Sequence, residues 1–85
     1  MDSLNENDYF ESSDLSLVAA LVAFGAKIET VERSNGPRAV FYIRREKGLE
    51  GLVQGFYARE LQVEPLAYYN ALRDAKTRLY GPPIE

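Results

Sequence analysis

The residue types that carry acid–base and nucleophilic chemistry are sparse in this sequence. It holds no histidine and no cysteine, so neither Ser–His nor Cys–His pairs can be built, and no imidazole or thiolate is available to bind zinc. Ser16 and Ser34 read as a helix-turn and a hairpin-turn residue. Paired carboxylates can act as general acid and base, and two pairs stand out in the sequence: Glu29 with Glu32, and Glu60 with Glu64. On an exposed strand such pairs normally serve solubility. Gly51 and Gly55 are not followed by Gly-Lys-Ser/Thr, so no phosphate-cradling loop is present, and no stretch concentrates carboxylates at EF-hand spacing. The expectation is a protein that is not an enzyme and uses no cofactor and no metal.

Binding chemistry is better represented. Arg33, Arg38, Arg44, Arg45 and Lys47 surround Tyr42 in sequence, which predicts a cationic rim around a ring able to stack on an unpaired base. Further on, Tyr69, Arg73, Lys76 and Tyr80 recur at i, i+4, i+7 and i+11, one stripe of a helix that alternates ring and cation. Cations neutralise phosphate while rings stack on bases, which is what a single-stranded nucleic acid requires. The candidate nucleic-acid-binding residues are therefore Arg44, Arg45, Tyr69, Arg73, Lys76 and Tyr80. A solvated helix face with two tyrosines resting on the core edge has the same pattern, so a protein–protein adaptor or regulatory subunit stands as the alternative.

These residues need elements to position them. Ser12-Ser13-Asp14 supplies an N-cap, and Leu15 to Phe24 forms a helix ending at Gly25. That helix is apolar nearly all round, which demands burial on more than one side and suggests a homodimer seam through Leu17, Leu21 and Phe24. Lys27–Glu32 and Arg38–Arg44 are β-rich runs around Ser34-Asn35-Gly36-Pro37, a hairpin signature. Ala39, Phe41 and Ile43 face the core. Leu49, Leu52, Val53 and Phe56 mark a second helix from about Glu46 to Ala58, weakened by Gly48, Gly51 and Gly55. Glu60–Val63 alternates as a short third strand. Pro65 opens a last helix that runs to about Tyr80 and buries Tyr68, Leu72, Ala75 and Leu79. The expected architecture is α+β in the order α-β-β-α-β-α, a short, largely antiparallel three-stranded sheet with helices packed on it.

At 85 residues and 46% hydrophobic content, one core is affordable and two are not. Residues 1–11 read as an acidic, mostly disordered arm, 12–81 as the domain and 82–85 as a short tail. The charge is uneven: residues 1–14 carry five acids and no base, whereas residues 15–85 carry ten bases and eight acids, a balance of +2. The longest apolar run, Leu17–Phe24, falls well short of the roughly 18 residues of a membrane span. The N-terminus also lacks the basic start of a signal peptide. Cytoplasmic residence without membrane contact is expected, with nucleic acid or a nucleic-acid-handling complex as candidate partner.

Ser13-Asp14-Leu15-Ser16-Leu17-Val18-Ala19-Ala20-Leu21 with Phe24-Gly25, Asn35-Gly36, Val40-Phe41-Tyr42, Phe56-Tyr57 and the run from Pro65 to Tyr80 resemble a family of short bacterial and phage proteins. That family is classed as a domain of unknown function. The resemblance spans about residues 12 to 80, implies one module associated with phages or other mobile elements, and carries no active site to transfer.

Overall fold

The structure is a computed structural model that describes residues 8–33 and 39–80. The elements run β1 (Tyr9–Ser12), α1 (Leu15–Ala23), β2 (Ile28–Arg33), β3 (Ala39–Arg44), α2 (Leu49–Tyr57) and α3 (Pro65–Tyr80). The class is α+β with a three-stranded antiparallel sheet, as the sequence leads one to expect, but the element order is β-α-β-β-α-α. Two segments account for the difference. Glu60–Val63 forms no strand, and the third strand comes instead from the end of the acidic arm, Tyr9–Ser12.

The sheet order is β1-β3-β2, with both outer strands antiparallel to β3. β1 and β2 are therefore parallel, joined through α1 with β3 between them, which is a split βαβ arrangement. Phe10 lies opposite Ile43 and Val31 opposite Phe41, so the apolar members of all three strands share one face. Ala39, Phe41 and Ile43 are buried there, as their alternation predicts. Glu29 is the extra residue in an irregular register between Ile28 and Thr30, and this bulge turns its carboxylate to Arg44. The hairpin connection Ser34–Pro37, Arg38, the tail and the first seven residues lie outside the described residues.

Helix α1 is the centre of the molecule. Leu17, Val18, Ala19, Ala20 and Leu21 are all buried, packed among α3, α2 and the inner sheet face. The small residues Ala19 and Ala20 of α1 and Ala71 and Ala75 of α3 are buried where these two helices approach closely. The all-round apolar cylinder is thus accounted for within one copy of the chain. Leu17 and Leu21, expected at a dimer seam, are both 0% exposed and have no surface to offer a partner, whereas Phe24 remains 43% exposed.

Local chemistry explains the helix ends. Asp14 caps α1, its carboxylate accepting from the backbone N–H of Ser16 and Leu17 at 3.0 and 3.3 Å. Ser16 Oγ donates to the same oxygen at 2.7 Å, the helix-turn role expected of it. Glu64 does the equivalent for α3, accepting from Ala67 N at 2.8 Å ahead of Pro65. Helix α2 begins at Leu49, later than its pattern implies, because Gly48 takes φ +94° and has no capping side chain.

Candidate functional site

The connection from α2 to α3 builds the site. At the end of α2, Glu60 N donates to Gly55 O at 2.9 Å and Arg59 N to Phe56 O at 3.1 Å, the two bonds of a Schellman stop. The chain then folds back over the helix it has just left. Leu61 comes to rest on Gly55, so closely that a Cβ built there would stand 3.0 Å from Leu61 Cδ2. Of the three glycines in α2's pattern, Gly55 is the one whose missing side chain makes room for another element; a Cβ on Gly48 or Gly51 would meet open space. Residues 60–63 keep their alternation, with Leu61 and Val63 half-buried and Glu60 and Gln62 exposed. It serves a packed loop rather than a ladder.

Folding back leaves a groove of about 370 Å³, lined by Ala20 of α1, Phe56 of α2, Arg59, Leu61 and Val63 of the connection, and Tyr68 of α3. Tyr68 is fixed at one side by a long bond of 3.4 Å from its hydroxyl to Ser16 O. Tyr57, 63% exposed, meets the Phe56 ring edge-on with centroids 5.3 Å apart and extends the apolar surface beyond the wall. Leu66, in the first turn of α3, is exposed as well. Among the described residues, Arg59 carries the groove's single formal charge.

The residues expected at a nucleic-acid surface are divided. Tyr69, Arg73, Lys76 and Tyr80 are exposed along α3, and the Arg73 guanidinium lies 5.8 Å from the Tyr69 ring centroid. Arg44 and Arg45 do not join them. Arg44 Nε pairs with Glu29 Oε2 at 2.8 Å and sits 5.5 Å from the Tyr9 ring centroid. Glu29 holds its pKa above the ordinary arginine value. Arg45 pairs with Glu50 and lies over Phe10. Both cations are thus already matched by carboxylates.

Tyr42, expected inside a cationic rim, is instead among acids on the sheet's outer face. Its hydroxyl donates to Glu32 Oε1 at 2.8 Å, which raises its pKa, and Glu11 lies opposite it on β1. Among the described residues, that face sets Glu11, Glu29 and Glu32 beside Arg44, a balance that disfavours phosphate there. Three of the four carboxylates flagged for acid–base work have structural partners, Glu29 with Arg44, Glu32 with Tyr42 and Glu64 with the start of α3, while Glu60 is exposed. A larger groove of about 480 Å³ between the start of β2 and α3 is lined by Lys27, Glu29, Asp74 and Arg78 among others. Its charges balance, and Arg78 is occupied in donating to Ile28 O at 3.0 Å.

Sequence reasoning missed the groove. Gly55 and the alternation at Glu60–Val63 were its only signals, and neither reveals that the chain turns back on itself. The turn depends on Arg59 adopting φ +62°, a conformation that the residue type does not announce.

A split βαβ sheet with helices on its inner face defines the class: a small α+β domain. Residues 7–81 match the family described as Domain of unknown function (DUF5659), and the chain belongs to that family. The match takes in β1, so the last residues of the acidic arm are part of the family's domain. No curated protein and no solved structure matches the chain.

Proposed function

We propose that this domain is a non-catalytic adaptor that receives a segment of another protein in the groove between α1, α2 and α3. The observation that carries the reading is the groove itself, which is apolar on nearly every wall, left uncovered by the described residues and continued outward by Tyr57. Concave apolar surface of this kind, with few polar groups, is what anchors side chains of a partner. The occupant is a short peptide segment rather than a folded face, because the groove's roughly 370 Å³ holds a few side chains and its one charge among the described residues is a guanidinium.

A random-peptide display library panned on the immobilised full chain tests this. Peptides should be enriched on the wild type and lost on Val63→Gln, which places a polar amide among the groove walls without adding a charge, while the thermal midpoint stays near that of the wild type. Enriched peptides indifferent to Val63→Gln would sink the groove reading.

A second reading, accessory binding of nucleic acid, is favoured by one specific observation: two exposed tyrosines and two cations share the outer face of α3, with Arg73 stacked by Tyr69. It predicts salt-sensitive binding of labelled single-stranded oligonucleotides that Arg73→Glu with Lys76→Glu removes. Binding unchanged by both substitutions would exclude that face.

A further inference from the structure

Among the described residues, positive φ occurs at Gly25, Gly48 and one non-glycine residue, Arg59. A Schellman stop asks only for a left-handed residue, and α1 meets the same demand with Gly25 at φ +102°. The arginine side chain at position 59 is therefore not required by the turn and opposes it, since a Cβ disfavours left-handed backbone. An unfavourable residue held in place by its surroundings points to a use for its side chain.

The surroundings indicate which use. Arg59 stands on the wall of the groove beside Ala20, Phe56, Leu61, Val63 and Tyr68, none of which carries a carboxylate. The ion pairs among the described residues are Arg44–Glu29 and Arg45–Glu50, so Arg59 has no acidic partner there. Glu64 is turned to Ala67 N, and Glu60, adjacent in sequence, is exposed without pairing to it.

We infer that Arg59 is the anchor for a carboxylate, and that the segment the groove receives is an acidic–apolar peptide. Its large apolar side chain enters between Phe56, Leu61 and Val63 while a neighbouring Asp, Glu or chain-terminal carboxylate pairs with the guanidinium. A planar guanidinium offers two parallel donors to a carboxylate. Arg59 is itself exposed, so the pair contributes direction and specificity beside the apolar walls more than affinity. This inference rests on the adaptor reading and adds the chemistry of its partner.

The test uses peptides recovered from the display selection. They should share a large apolar residue within one or two positions of an acid. A synthetic, fluorescein-labelled peptide of the enriched sequence is then titrated against the full chain by anisotropy, beside the same peptide with its acid replaced by the amide. The amide should bind about two- to fivefold more weakly, the scale of an exposed ion pair. Arg59→Gln and Arg59→Gly should weaken the acidic peptide by a similar factor and leave the amide peptide unaffected. Arg59→Gly should also raise the thermal midpoint, because glycine relieves the left-handed strain, which separates loss of binding from loss of fold.

Enriched peptides without an acid, or full affinity in Arg59→Gly, would overturn the anchor while leaving the groove reading intact. A lowered thermal midpoint in Arg59→Gly would do the same, by making the side chain structural. Enrichment of peptides that ignore Val63→Gln would remove the groove and the anchor together.

Discussion

Helices α1 and α2 are each nine residues long, and each ends on the same pair of backbone hydrogen bonds. They differ in almost everything else. Five consecutive residues of α1 are buried, whereas α2 buries Leu49 alone. α1 starts on a charged cap and stops on glycine; α2 starts on Gly48 without a capping side chain and stops on arginine. One helix has each local choice agreeing with the fold, and the other carries a residue that conflicts with its own backbone. Such conflicts concentrate where something besides folding is being served. α1 holds the domain together, and the end of α2 presents its surface.

Substitutions can break this contrast, the largest effect coming from the centre of α1. Leu21→Ala should cost about 2–5 kcal/mol of stability in urea unfolding, since its side chain is fully enclosed. Leu52→Ala, in the partly exposed α2, should cost clearly less. Equal costs would erase the distinction between a structural and a presenting helix.

The two stops should respond with opposite signs. Gly25→Ala has open space for its Cβ but must hold φ +102°, and should destabilise by about 1–2 kcal/mol. The gain expected from Arg59→Gly is the mirror image, reduced by glycine's greater freedom in the unfolded chain. If both substitutions destabilised the chain, the arginine would belong to the fold.

The smallest expected effect is at the cap. Asp14→Ala should cost about 1 kcal/mol, where α2 has no equivalent side chain to lose. The Ser16 hydroxyl, donating to Asp14, holds that carboxyl below its ordinary value against the opposing effect of burial, assisted by the backbone N–H of Leu17 and Ser16. A lowered folded-state pKa stabilises above the unfolded value of about 3.9 and is lost as pH falls through the folded one. The wild type should therefore lose part of its acid-side stability that Asp14→Ala never had. Parallel pH profiles of the two proteins below about pH 5 would remove Asp14 from that role.

Local signals in the chain determined a good deal. Asp14 and Gly25 bracket α1, Pro65 opens α3, the alternation of Ala39, Phe41 and Ile43 assigns the buried face of β3, and the apolar circumference of α1 requires neighbours on several sides. These are effects of near neighbours and of side-chain period, which a sequence states directly. Pairing was decided elsewhere. A strand needs a free edge to bind, and Tyr9–Ser12 takes the edge of β3 while Glu60–Val63, equally alternating, is drawn onto Gly55 by the stop at Arg59. Likewise Arg44 and Arg45 look free in sequence, and only tertiary contact assigns them Glu29 and Glu50 and leaves Arg59 at the groove without an acidic partner among the described residues. The groove's walls come from α1, α2, the connection and α3, residues up to 48 positions apart between Ala20 and Tyr68. No local pattern encodes their meeting, because it is set by which elements the shared core brings together.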